Sequence, residues 1–253
     1  VRSFIFVLTL CFLLIAPLAA ENDQPKPLVG IVEKLGNMLP LDTEFYDEDG
    51  HLVSLKSIIT KPTVFTFVYY KCPGICSPLL TEVTKVVSKM GLEPGVDYQI
   101  VTISFDHEEK PDLAKDKQEN YIAEVERPMP AGSWRFFTGD SSAIASLTDA
   151  AGFYFARDGR DWIHAGALII ASPQGKVTRY LFGIKHLPFD VKMAVMEASE
   201  GKTGPTIAKV LSFCFTYDPE GKRYAFDVVR VSGVVIVAFV AVFAIVFLRR
   251  KKK

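Results

Sequence analysis

The chain has no net charge: its 253 residues carry 29 Lys and Arg against 29 Asp and Glu. That balance removes the electrostatic reason to expect nucleic acid as a partner. Internal repeats and low-complexity stretches are also missing. The length therefore suits one domain of about 150–200 residues with appendages. Cysteine and histidine are scarce, four of each. Few side chains can bind a soft metal or attack a disulfide, so their placement is informative.

The appendages stand at the two ends. Residues 4–20, "FIFVLTLCFLLIAPLAA", are almost wholly apolar and follow Arg2, which reads as a secretory signal over residues 1–20. Ala20 suits the cut, but Leu18 stands where a small residue is preferred, which leaves an uncleaved anchor as the alternative. Cys11 lies inside the apolar run rather than after it, unlike a lipidated cysteine. At the other end every residue from Val231 to Leu248 is apolar or small, and "RRKKK" follows. A span over 228–248 is long enough to cross a bilayer. The basic tail 249–253 then stays cytoplasmic. The expected topology is an exported domain facing the periplasm, held in the inner membrane by one C-terminal helix. In that compartment thiols are oxidised unless a reductant or a metal holds them.

Between the ends, residues 21–40 read as an extended lead-in and 202–227 as a juxtamembrane segment. The body, 41–201, alternates strand and helix patterns. "FYDEDGHLVSL" (45–55) is a hairpin about Asp49-Gly50. "TVFTFVYY" (63–70) and "YQIVTISF" (98–105) are buried strands. Leu79, Leu80, Val83, Val86, Val87 and Met90 recur at helical spacing up to Gly91. A polar helix follows over 110–126, then a strand at 134–139, a capped helix ending at Gly152, and "FYFARD" as one short strand. A hairpin turning at "PQG" and a last helix over 188–201 complete the order. Strands with helices on both faces predict an α/β sandwich. A strand, cysteine loop and helix followed by a parallel strand is the thioredoxin-like layout.

Cys72 and Cys76 stand four positions apart where a strand gives way to a helix. Unpaired N–H groups at a helix N-terminus favour negative charge, which predicts lowered thiol pKa values. Pro78 suits such a start. Three readings compete: small buried hydrophobes or a plain disulfide; a redox pair, although the usual spacing has one residue fewer; or a soft metal site for copper(I) or zinc. A metal needs a further ligand. His51 sits in the early hairpin turn, His107 in the acidic loop "DHEEK", and His186 in "GIKHLPF". His164, in "DWIHAGALII", enters the hairpin's first strand and is the best placed. The position three before Cys72 is Tyr69, where thiol peroxidases of this fold use Thr, which argues against peroxidase chemistry.

"VYYKCPGICSPLL", "VTISFD", "WRFFTGD" and "IHAGALIIASPQGKVTRYLFG", in that order, resemble the Sco/SenC family of thioredoxin-like proteins. The resemblance covers roughly residues 30–200. It implies copper delivery in cytochrome c oxidase assembly, with one copper ion held by Cys72, Cys76 and His164 and the two sulfurs able to cycle between dithiol and disulfide. Partners implied are the copper-bearing oxidase subunit, a copper donor protein and a periplasmic thiol reductant. The family's acidic marker maps to Asp106, acting on the site without binding the ion. Departures are Ile163 where an aspartate often precedes the histidine, His107 in place of proline, and a C-terminal anchor. The stretch "FCFTYDP" around Cys214 resembles the tail of a C-anchored branch; Cys214 is either packed among aromatics, a third redox or metal thiol, or the site of an intermolecular disulfide. The competing activity is a thiol–disulfide reductase, an enzyme with Cys72 as nucleophile.

Overall fold

The computed structural model describes residues 29–204, 215–218 and 223–226. The expected signal, Cys11, Cys214, the span at 228–248 and the basic tail lie outside them. Among the described residues no helix is long and apolar enough to cross a membrane.

Strand β1 (Gly30–Ile31) opens the described chain, and the hairpin β2 (Glu44–Tyr46) and β3 (Leu52–Ser54) follows, paired antiparallel. Its turn falls at Asp49-Gly50 as expected, with Gly50 at φ 80°. A short helix α1 (Leu55–Ile58) leads to β4 (Thr63–Val68), then α2 (Cys76–Lys89), β5 (Gln99–Ser104), α3 (Pro111–Ala123), β6 (Trp134–Phe137) and α4 (Ser141–Ala150). Four small strands come next: β7 (Phe153–Tyr154), β8 (Ala156–Asp158), β9 (Asp161–Ile163) and β10 (Ala167–Ala171). Strand β11 (Val177–Phe182) and helix α5 (Pro188–Ser199) close the body, and β12 (Phe215–Asp218) pairs antiparallel with β13 (Arg223–Phe226) further on.

The centre is a five-stranded sheet in the order β11-β10-β4-β5-β6. Strands β4, β5 and β6 run parallel, while β10 is antiparallel to both β4 and β11. Every residue of β4 and β5 is buried, which is why these segments read as unbroken apolar, β-branched and aromatic runs. On one face Phe67 packs on Phe153, ring centroids 5.1 Å apart. On the other, the hydroxyls of Thr66 and Thr102 meet at 2.7 Å, and the Trp134 indole donates to Thr102 at 2.8 Å. Tyr121 of α3 stacks over that indole. Helix α2 touches α3 and α5, whereas α4 packs against β7, so helices cover both faces. This is the expected thioredoxin-like α/β sandwich.

Two expectations need correcting. "FYFARD" is not one strand: β7 pairs with β1, whereas β8 turns away to pair with β9. Its even run of apolar and polar residues hides that change of partner. Residues 36–39 are also more than a lead-in. They run beside β11, with Val177 N–H donating to Asn37 and Leu39 N–H to Gly175, each at 2.8 Å, and Leu39 is buried. Gly152 marks a second close approach. A Cβ there would sit 1.9 Å from the carbonyl oxygen of Val32.

Candidate metal centre

The first half of the site grows out of the central strand. Beyond Val68 the chain keeps two buried tyrosines, Tyr69 and Tyr70, before it reaches the surface at Lys71. Cys72 N–H then donates to the Tyr69 carbonyl at 3.2 Å, turning the loop back, and Gly74 N–H donates to the Cys72 sulfur at 3.3 Å. Helix α2 begins at Cys76 itself, so Cys72 lies in the loop and the two residues do not share a helix face. Both are free thiols; Cys72 is half-buried, and Cys76 is 2% exposed.

The second half comes from a separate small sheet. The β8–β9 hairpin hands the chain to β10 through His164, Ala165 and Gly166. His164 Nδ1 donates to the Ala165 carbonyl at 2.9 Å. That bond leaves the Nε2 lone pair free, and Nε2 faces the Cys76 sulfur at 3.3 Å. The ring lies in an aromatic cage: Phe105 at 4.9 Å, Tyr69 at 5.9 Å and Phe153 at 6.2 Å between centroids. Burial lowers its pKa, partly offset by the Ala165 hydrogen bond, so the imidazole is held neutral and able to donate a lone pair.

The Cys72, Cys76 and His164 donor atoms all lie within 4.8 Å of one another. Bonds of about 2.0–2.3 Å to a central ion put three trigonal donors roughly 3.7–4.0 Å apart. The group therefore fits a metal ion with little adjustment. No fourth His, Cys, Asp or Glu joins it among the described residues. Structural zinc closes with four ligands. Two soft thiolates and one imidazole, with no fourth donor, suit copper(I) better.

The expectation of lowered thiol pKa values does not hold for Cys76. Burial pushes this thiol well up; the Tyr69 backbone N–H opposes that, and the neighbouring Cys72 thiol and the Glu109 carboxylate add to it. Desolvation outweighs the helix terminus because the Cys76 side chain is buried.

The remaining histidines stand elsewhere: His51 and His107 are exposed, and His186 is buried. Asp106 touches none of the three donors. Its carboxylate accepts from the Trp162 indole at 3.1 Å and has Arg157 at 3.9 Å, so it fastens the hairpin that presents His164. The guanidinium of Arg157 lies over the Trp162 ring, 4.7 Å from its centroid. Sequence reasoning missed Glu109. In "DHEEK" it reads as one surface acid among several, yet it is 4% exposed and faces the cysteine loop. Nothing short of the fold distinguishes it from Glu108.

A thioredoxin-like sheet with a dithiol loop and an imidazole facing it defines a redox-capable protein whose sulfurs can also hold a metal ion. More particularly, the chain belongs to the SCO1/SenC family, whose model matches residues 39–188. It is 28% identical over 151 residues to the SCO1 protein homolog of Bacillus subtilis strain 168, covering 58% of this chain and 75% of that one. Among solved structures it is similar to BsSco, described as a member of the Sco family of cytochrome c oxidase assembly proteins with a disulfide switch. That match has a TM-score of 0.53 and 25% identity over 68% of this chain and 99% of BsSco. The fold is shared with Arabidopsis thaliana ScoI, solved with copper bound, at a TM-score of 0.51 and 22% identity over 62% and 95% of the two chains.

Proposed function

We propose that this protein carries one copper(I) ion on Cys72, Cys76 and His164 and passes it to the dinuclear copper site of a cytochrome c oxidase subunit. The observation that carries this reading is the convergence of two sulfurs and an imidazole nitrogen within 4.8 Å, with no fourth His, Cys, Asp or Glu among the described residues. Copper is cargo here. On loading, each thiol gives up its proton as the ion binds; on unloading, sulfurs of the acceptor replace Cys72, Cys76 and His164 one at a time, and the protons return. A three-ligand site leaves room for an incoming sulfur, so transfer needs ligand exchange rather than bond-breaking chemistry. Half-buried Cys72 is the natural point of entry and exit. A copper donor loads the site, and a thiol reductant keeps the pair reduced in the periplasm. The expected C-terminal span at 228–248 confines donor and acceptor to one membrane face and raises their effective concentration.

A second reading is favoured by the disulfide switch described for BsSco. Here Cys72 attacks a disulfide of the oxidase subunit, and Cys76 resolves the mixed disulfide. The acceptor gains two electrons and two protons while Cys72 and Cys76 become a disulfide. The two readings separate at His164. In a titration of the reduced full chain with copper(I) against a chromophoric chelator, the parent takes up one ion. His164→Ala loses tight binding and keeps its dithiol titre. Copper held equally tightly by that variant removes His164 from the site and leaves the reductase reading.

A further inference from the structure

Glu109 is a buried carboxylate with no ion-pair partner among the described residues, an arrangement that needs a specific reason. Its two oxygens are taken up by three donors. Oε2 accepts from Tyr70 N–H at 2.7 Å and from the Ser104 hydroxyl at 2.6 Å; Oε1 accepts from Lys71 N–H at 2.8 Å. The two amides are consecutive, and the next residue is Cys72. Glu109 thus grips the backbone where it leaves the central sheet, immediately before the first sulfur. It does so from the neighbouring strand's loop, with Ser104, the last residue of β5, holding the carboxylate from behind. The Ser104 hydroxyl in turn accepts from Asp106 N–H at 3.1 Å, and Asp106 holds Trp162 of the histidine hairpin. One short segment, Ser104 to Glu109, therefore reaches both halves of the metal centre.

We propose that Glu109 is a positioning residue: it sets the placement of Cys72 relative to Cys76 and His164 by clamping the amides of Tyr70 and Lys71, and touches no bound ion itself. The inference rests on the reading of those three side chains as one ligand set. An amide cannot replace the carboxylate. Glu109→Gln keeps one accepting oxygen and turns an NH2 toward a backbone N–H, so one amide is released and the loop swings. The loss falls on the site because the clamp is adjacent to the first sulfur.

The test uses the full chain in mild detergent, reduced, with copper(I) affinity measured against a chromophoric chelator. Glu109→Gln loses about 10–100-fold in affinity, the range for removing a group that orients a ligand. Exposed Glu119→Gln on α3, the control, changes it less than about twofold. In a His164→Ala background the Glu109→Gln penalty shrinks by about threefold or more, because sulfur placement matters less once the imidazole is gone. A purely structural role predicts otherwise: a lower melting temperature, with affinity per folded molecule unchanged or the same penalty in both backgrounds. Either result overturns the proposal. Should Glu109→Gln fail to fold, Glu109→Asp, one methylene too short to reach both amides, takes its place under the same criteria. A parent that binds no copper(I) refutes the proposed cargo. Glu109 is then judged by the glutathione equilibrium, in which the Cys72–Cys76 disulfide and two glutathiones give the dithiol and glutathione disulfide. Loss of the clamp shifts that balance about threefold or more toward the dithiol, because the two sulfurs are no longer held within reach of each other; an unmoved midpoint overturns the inference.

Discussion

The two halves of the candidate metal centre are built on unequal foundations. The sulfurs extend from β4, a fully buried strand at the middle of the main sheet, and Cys76 opens a 14-residue helix whose inner face is core. The imidazole hangs from β8 and β9, a two-stranded sheet of its own, with Ile163 next to His164 51% exposed. What holds that hairpin to the body is the Trp162 hydrogen bond to Asp106, the ion pairs of Arg157 with Asp106 and Glu108, and the aromatic cage about Phe105; the stack of Arg157 on Trp162 stiffens the hairpin from within. The difference assigns separate physical roles. The dithiol half is inseparable from the fold, so it cannot be loosened without a cost in stability. The histidine half is an attachment that can shift with little loss of core, which suits the release step proposed for it.

Phe105 is where the comparison can be broken outright. Its amide donates to Val68 at 2.8 Å, so its backbone belongs to the sulfur half. Its ring meets Tyr69 at 5.6 Å, Phe155 at 4.5 Å and His164 at 4.9 Å, so its side chain serves both halves. Phe105→Ala removes a fully buried ring and lowers stability by about 3–5 kcal/mol, read from urea unfolding of the reduced protein. Copper(I) affinity falls with it. If affinity survives that loss intact, the cage does not hold the imidazole.

A smaller change separates the halves. Trp162→Phe keeps an aromatic ring for Phe105 and Arg157 but removes the N–H that Asp106 accepts. Stability falls by about 0.5–1.5 kcal/mol, the net worth of one hydrogen bond. Copper(I) affinity falls by roughly tenfold, the lower end expected when an orienting partner is lost. Hydrogen exchange over 156–163 quickens, while exchange at 66–70 and 100–104 is unchanged. Equal acceleration in both regions would mean that the hairpin and the sheet open as one unit, and the division drawn above would fail.

The same division explains what could be read from the chain alone. The central strands were legible because burial on both faces forces continuous apolar runs at Val64–Val68 and Ile100–Ile103. Helix α2 was legible from its spacing, and Cys72 and Cys76 from standing at a strand–helix junction. His164 was found by fold layout, since its own neighbours, Ile163 and Ala165, carry no ligand signal. The small strands β7, β8 and β9 were not separable, because two or three residues give no periodicity and their partners are remote. Glu109 was invisible for a related reason: a carboxylate that accepts backbone N–H groups has no complementary side chain to betray it. The raised pKa of Cys76 was missed because helix-terminus arguments know the direction of the dipole and not the depth of the sulfur.

The smallest expected effect concerns acid. His186 is 8% exposed and its Nε2 has no hydrogen-bond partner among the described residues. Burial lowers its pKa in the folded state, with Glu82, the Gly183 backbone and Asp190 pulling weakly the other way. The unfolded chain therefore binds the proton more readily than the native one, and unfolding takes protons up. The contribution of this histidine is complete above its unfolded value of about 6.5 and is lost as the pH falls below that toward the depressed folded value. His164, also shifted down by burial, adds a loss of the same sign. Replacing His186 by Leu should therefore flatten, without abolishing, the fall in unfolding free energy between pH 7.5 and 5, measured in urea with the thiols reduced. His186 lies on the loop before α5, against the sheet-and-helix body rather than the β8–β9 attachment. Its protonation should accordingly weaken the whole fold and leave exchange over 156–163 no faster than elsewhere. An acid-induced opening confined to that hairpin, unchanged in the Leu variant, would place the pH response at His164 instead.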